Sequence, residues 1–154
     1  MSAKAHFNQI KEHRASIAQP HFLMSAENPQ FPEKKTLSMD HEEVLESLQG
    51  AGYDAHATDG HYNGSPEKSI LVYGVTPEHA EKLHGLASRL GQDSSIYSDG
   101  QNHEMKFHHG EHAGKSVKGS GTVHHLNKPD DFFTTLPGGV HHFTHNFDFS
   151  KGPQ

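Results

Sequence analysis

The sequence predicts an α+β protein, a ferredoxin-like α/β sandwich of order β-α-β-β-α-β with one or more extra strands near its carboxy-terminal end. Three observations predict it. The run Ser69-Ile-Leu-Val-Tyr73 is almost continuously apolar, as a central strand is. Two amphipathic stretches begin at cap signals and end at glycine. The shorter alternating runs around them are bounded by Pro, Asn, Asp and Gly.

Taken in order, residues 1–20 read as a polar, mixed-charge lead-in with a short helix around Ile10–Ile17, without the pattern of a secretory signal. The apolar run His21–Ala26 is the first strand, stopped by Glu27-Asn-Pro29. Asp40-His-Glu-Glu43 has capping-box spacing. Val44, Leu45 and Leu48 then make an apolar stripe that Gly50 or Gly52 ends. Tyr53, Ala55 and Ala57 alternate as in a second strand running to His61, and Tyr62–Pro66 is expected to be a loop. After the central strand, Thr76 and Pro77 open a second helix as N-cap and first residue. Ala80, Leu83, Ala87 and Leu90 lie on one face of it, and Gly91 closes it. Ser94–Ser98 and Glu104–His109 form a hairpin through Asp99-Gly100. Residues 21–110 thus make the sandwich core.

Residues 111–154 read as a Gly- and His-rich extension that could serve as an intersubunit arm. Within it, Gly119-Ser-Gly121 is expected as a flexible connector, Asp130–Leu136 as one helical turn, and Val140–Phe149 as a late edge strand or swapping arm. Two helices cover one face of the predicted sheet, so the other face needs a cover, and oligomerisation would supply one.

The bulk numbers set limits. A chain of 154 residues suits one domain, and 31% hydrophobic residues is a low share for one packed throughout. A formal charge of −6 argues against a nucleic-acid binder working by phosphate neutralisation. No apolar run approaches membrane-spanning length, so a cytoplasmic protein without a membrane partner is expected. With no cysteine there is neither a disulfide nor a thiolate metal site. The sequence holds 17 histidines. His108, His109 and His112, like His141, His142 and His145, have metal-compatible helical spacing, but they sit in strand or loop context, and no metal or other cofactor is expected.

Read together, several short motifs resemble the S-adenosylmethionine (SAM)-cleaving enzymes, SAM hydrolases or lyases, of T7-like and environmental phages. The first strand closes on Ser25-Ala26. Gly60-x-Tyr62 is followed by Glu67-Lys68 at the head of the strong strand. The second helix runs into Gln92-Asp93 and a strand ending at Tyr97, and Met105-Lys-Phe107-x-x-Gly110 follows. The resemblance covers about Phe22–Gly110 and implies a PII-like homotrimer with active sites between subunits. It further implies SAM as substrate, catalytic roles for Glu67 and Tyr62, and substrate contacts from Ser25, Ala26, Tyr53, Gln92 and Tyr97. Such an enzyme acts in the cytoplasm of an infected host, lowering SAM and blunting restriction and methylation.

The chemistry expected there is economical. SAM carries a sulfonium, so its own carboxylate can attack the γ-carbon, closing homoserine lactone and releasing methylthioadenosine. Positioning alone supplies ~7–11 kcal/mol in well-oriented intramolecular reactions. A carboxylate against the sulfonium would favour the ground state over the transition state, so Glu67 is expected to grip the α-ammonium instead. Tyr53, Tyr97 or Phe22 would border the sulfonium, while Gln92 and Ser25 would bond the adenine or ribose. Hydrolysis with Glu67 as general base is the alternative route.

Two other functional readings fit the residues. His56-Ala-Thr58 and His142-Phe-Thr144 are His-x-Thr motifs like those of 2H phosphoesterases. A non-catalytic PII-like nucleotide binder would use the same fold and the same adenosine contacts. Taken singly, Glu67 could be a solvated edge residue, Tyr62 a loop aromatic, Gln92-Asp93 turn chemistry, and Ser25 a small residue in a crowded strand.

Overall fold

The computed structural model describes residues 19–62, 65–125, 132–135, 141–147 and 152–154. The fold is mixed α+β. Strands β1 (His21–Ser25), β2 (Asp54–Tyr62), β3 (Ser65–Tyr73), β4 (Ser94–Ser98), β5 (His103–Phe107), β6 (Ser116–His125), β7 (Phe132–Thr135) and β8 (His141–Phe147) form one curled sheet. Helix α1 (His41–Gly50) joins β1 to β2, and α2 (Pro77–Arg89) joins β3 to β4. Every strand pairing is antiparallel, and the order β1-β3-β2-β7-β8-β6-β5-β4 returns to β1, closing a barrel.

Local signals explain the helices. Asp40 accepts from the Glu43 amide at 2.9 Å while Glu43 reaches back to the Asp40 amide at 3.3 Å, the reciprocal capping box expected there. Thr76 caps α2, with Pro77 first in the helix. Beyond its end Gly91 takes φ +76°. A Cβ at Gly91 would sit 2.6 Å from the Phe31 carbonyl oxygen, while the Phe31 amide donates to the Gly91 carbonyl at 2.9 Å. Gly91→Ala therefore combines left-handed backbone strain, about 1–2 kcal/mol, with a backbone clash. A lower urea midpoint at unchanged slope is the expected result, and a midpoint equal to the wild type would refute this account.

Alternation along the strands makes two cores. Phe22, Met24, Ala55, Ile70 and Val72 face the helices and pack on Val44, Leu48, Ala80, Leu83, Ala87 and Leu90. Leu23, Leu71, Ile96 and Met105 face the other way and form a second cluster inside the barrel, joined by Phe107 and Phe147. The second face of the sheet is therefore covered from within the chain, because β5 to β8 continue the ladder from β4 round to β2. Full closure satisfies both edge strands.

Several expectations change here. Tyr62–Pro66 is not an open loop: β2 and β3 pair as far as Tyr62 opposite Ser65. Gly119 and Gly121 lie inside β6, paired with Phe147 and His145, rather than in a connector. Residues 132–135 form β7 rather than a helical turn, since their amides and carbonyls serve the β2 and β8 ladders. β8 lies between β6 and β7, not at an edge. The expected helix at Ile10–Ile17 falls outside the described residues. Among the described residues, no helix is long and apolar enough to cross a membrane.

Candidate functional site

A cavity of about 480 Å³ opens at one end of the barrel interior. It is lined by Ser25 of β1, Glu67 and Ser69 of β3, Ser94–Ile96 of β4, Met105 and Phe107 of β5, and Gln30, Gln92 and Asp93 from loops. Strand alternation explains the first members. Ser25, Glu67 and Ser69 share a face with Leu23 and Leu71, because β1 and β3 pair Ser25 with Ser69 and Leu23 with Leu71. Gly60 stands opposite Glu67 and has no side chain to occupy that ground.

The rim is tied together. Ser25 Oγ donates to the Lys68 carbonyl at 3.1 Å and accepts from the Glu27 amide at 3.1 Å. Gln92 is 2% exposed, and its Nε2 donates to the Glu27 carbonyl at 2.9 Å. The Asp93 amide donates to Gln30 Oε1 at 2.9 Å. Gln92 thus fixes the loop after β1 with one of its two amide hydrogens.

Two carboxylates face this space. Glu67 Oε1 is buried and meets no hydrogen-bond partner. Burial pushes the Glu67 carboxyl above its ordinary range; the Ser25 hydroxyl opposes that shift, and the charge of Glu27 adds to it. Burial likewise raises the Asp93 carboxyl, against the Ser94 hydroxyl and the charges of His112 and His109. Neither lysine nor arginine lines the cavity among the described residues. An apolar wall with two carboxylates and no fixed cation suits an organic cation carrying an N–H donor.

Three of the residues singled out in the sequence, Ser25, Glu67 and Gln92, therefore meet at one place. Others do not line it. Tyr97 packs on the helix side of the sheet, its hydroxyl donating to the Val75 carbonyl at 2.9 Å. Burial raises that phenol, as does the charge of Asp99. Phe22 belongs to the same helix-side core. Tyr53 precedes β2 and pairs with His79 Nδ1 at 2.9 Å. It stands seven residues before Gly60, about 23 Å away along an extended strand. Ala26 is buried and lines a second, more polar depression beside the start of α1, with His41 and Lys35. The backbone of Tyr62 ends β2, while its side chain lies outside the described residues.

Gln30, Asp93, Ser69, Ser94, Ser95, Met105 and Phe107 were not singled out as site residues. Period-two alternation puts Ser69 on the Glu67 face of β3 and Ser94 with Ile96 on one face of β4, but only the pairing of both strands with β1 sets those faces on the same side of the sheet.

The two His-x-Thr motifs do not meet across neighbouring strands. His142 of β8 pairs with Thr135 of β7, and Thr135 with Asp59 of β2, three residues from His56. His56 pairs instead with Asp54 at 2.7 Å. The side chains of His142 and Thr144 lie outside the described residues. Of the two histidine runs, only the side chains of His108, His109 and His112 are described. Among the described residues no group of three His, Asp or Glu side chains converges in a way that could hold a metal ion.

No protein-family model matches the chain, and no curated protein matches it significantly.

Proposed function

We propose that the chain is an S-adenosylmethionine lyase that converts SAM to methylthioadenosine and homoserine lactone. The observation that carries this reading is the buried, unpartnered Glu67 carboxylate oxygen in a cavity shared with Ser25 and Gln92. SAM offers what this space lacks, a donor-bearing ammonium, together with an aliphatic chain and an aromatic base for the walls of Met105, Phe107, Leu23 and Ile96.

Glu67 grips the α-ammonium and leaves the substrate carboxylate free. That carboxylate attacks the γ-carbon, the C–S bond breaks, and its electron pair neutralises the sulfonium as methylthioadenosine leaves. No proton moves and no protein nucleophile is used. Proximity carries the catalysis, at ~7–11 kcal/mol when reactants are well aligned. The strand order β4-β1-β3-β2, with α1 and α2 on one face, supports a ferredoxin-like, PII-like relationship for this half of the fold. Assembly as a homotrimer and action in the cytoplasm of a phage-infected cell, against SAM-dependent restriction and methylation, complete the proposal.

The test is incubation of the purified chain with SAM, with products followed by chromatography and mass spectrometry. Methylthioadenosine with homoserine lactone is expected. Homoserine from the earliest times would replace lactonisation by hydrolysis. Unchanged SAM would overturn the enzyme reading, and SAM bound without turnover would leave a PII-like ligand-binding protein.

A further inference from the structure

Behind the cavity wall lies a buried polar cluster that the proposed reaction does not use. Ser95 is 2% exposed and His84 is 5% exposed. Ser95 Oγ lies 2.6 Å from His84 Nδ1 on α2 and 2.6 Å from His108 Nε2, which follows β5. The main-chain amide of His108 also donates to the Asp93 carbonyl at 2.8 Å. His108 therefore holds the segment Asp93–Ser95 twice, once through its backbone and once through its ring, and all three residues of that segment line the cavity.

We propose that His84 and His108, bridged by Ser95, are positioning residues that hold the Asp93–Ser95 wall of the cavity in its ligand-binding arrangement only while the ring that accepts the Ser95 hydroxyl hydrogen is neutral. The inference rests on the SAM reading for the identity of the ligand, but not for the relay itself.

Proton counting gives the reason. A serine hydroxyl has one hydrogen to donate and lone pairs to accept with. With two neutral rings it donates to the bare nitrogen of one and accepts the N–H of the other, so every hydrogen is placed. Protonating the accepting ring aims two N–H groups at Oγ and takes away the acceptor of the hydroxyl hydrogen, at a serine that is almost fully buried.

The surroundings oppose such a charge as well. Lys106 of β5, paired with Glu81 at 3.5 Å, acts on both rings, and His84 and His109 act on His108. Asp93 meets the charges of His109 and His112. Phe22 presses on His84 edge to face with ring centroids 4.8 Å apart. Burial, then these cations, push both rings down to about 4. In this folded state the relay stays intact as pH falls from the ordinary histidine value of 6.5 and breaks only near 4.

The experiment is ring-nitrogen NMR on the ¹⁵N-labelled full chain between about pH 5 and 8, read together with SAM affinity. Each ring is expected to show one neutral tautomer throughout. Ser95→Ala should mix the tautomers, shift the Asp93 and Ser94 amides, and weaken SAM binding about tenfold at pH 7, equivalent to about 1.4 kcal/mol. Ser95→Thr keeps the hydroxyl and should restore all three readings. If Ser95→Ala does not fold, His108→Gln removes the ring bridge and keeps the backbone bond, with the same amide shifts expected. Titration of the accepting ring between about pH 6 and 7 in the wild type would overturn the relay. So would Ser95→Ala amides and SAM affinity equal to those of the wild type. Because tautomers and amides are read without SAM, a wild type that ignores SAM defeats the proposed function and leaves the relay to stand or fall on its own signals.

Discussion

Glu67→Gln is expected to lose roughly 10- to 100-fold in kcat/KM for SAM while the folded protein becomes no less stable. The loss follows from removing a charge-assisted hydrogen bond to the substrate ammonium, worth about 1.5–3 kcal/mol. The gain in stability follows from the burial that raises the Glu67 carboxyl in the folded chain. A carboxyl with a raised folded value binds its proton more tightly folded than unfolded. Its contribution to stability is full below the unfolded value of 4.5 and is lost as pH rises through the folded value. At neutral pH the wild type therefore carries a cost that glutamine removes. Because Glu67 is only partly buried, solvent screening limits the gain to about 1 kcal/mol or less. Urea titrations of both proteins at pH 7.5 and at pH 4 check it, with the difference expected at the higher pH alone. Normal turnover by the variant would remove Glu67 from the site, and a less stable variant at pH 7.5 would show that the contact of the carboxylate with the Ser25 hydroxyl outweighs the cost of its burial.

The second large effect is expected at Phe22→Ala. Phe22 is fully buried in the helix-side core, directly across β1 from Val72 and Tyr97 in the paired strands. Truncation removes the ring, leaves a cavity among rigid neighbours, and costs about 3–5 kcal/mol. Against a typical total of about 5–15 kcal/mol, that is enough to unfold a marginal domain near body temperature. The ring also packs against His84, so the variant should loosen the Ser95 relay before it unfolds globally. Calorimetry checks the first part. A loss below about 1 kcal/mol would mean that the core closes around the gap, contrary to the close packing described above.

The candidate site divides along the same lines as the fold. Ser25, Glu67 and Gln92 were legible in order along the chain, and all three reach the cavity. Tyr97 was not separable from them in sequence. It follows Ile96, which lines the cavity, and one step along a strand turns a side chain to the opposite face. Asp93 looked like turn chemistry after a helix-ending glycine. Its place in the cavity depends on the Gln30 and His108 contacts, which come from distant segments. Ser95 carried no sequence signal, since serine is ordinary in a strand and its two histidine partners lie 11 and 13 residues away on other elements.

By itself, the sequence determined what short-range physics controls. The capping pairs Asp40 with Glu43 and Thr76 with Pro77 placed the helix starts, because their hydrogen bonds and fixed φ act within one turn. The apolar stripes of both helices, and the run through Ile70, Leu71 and Val72, marked which faces would be buried. Only the tertiary structure decided that Gly119–Gly121 pairs as a strand, that β8 lies between β6 and β7, and that the sheet closes on itself. Ladder hydrogen bonds come from the backbone, which is alike in every residue, so polar and glycine-rich segments join a sheet without an apolar signature. The cavity itself is a product of that closure. Its residues lie from Leu23 to Phe107 along the chain and share a space only after long-range pairing has set their register.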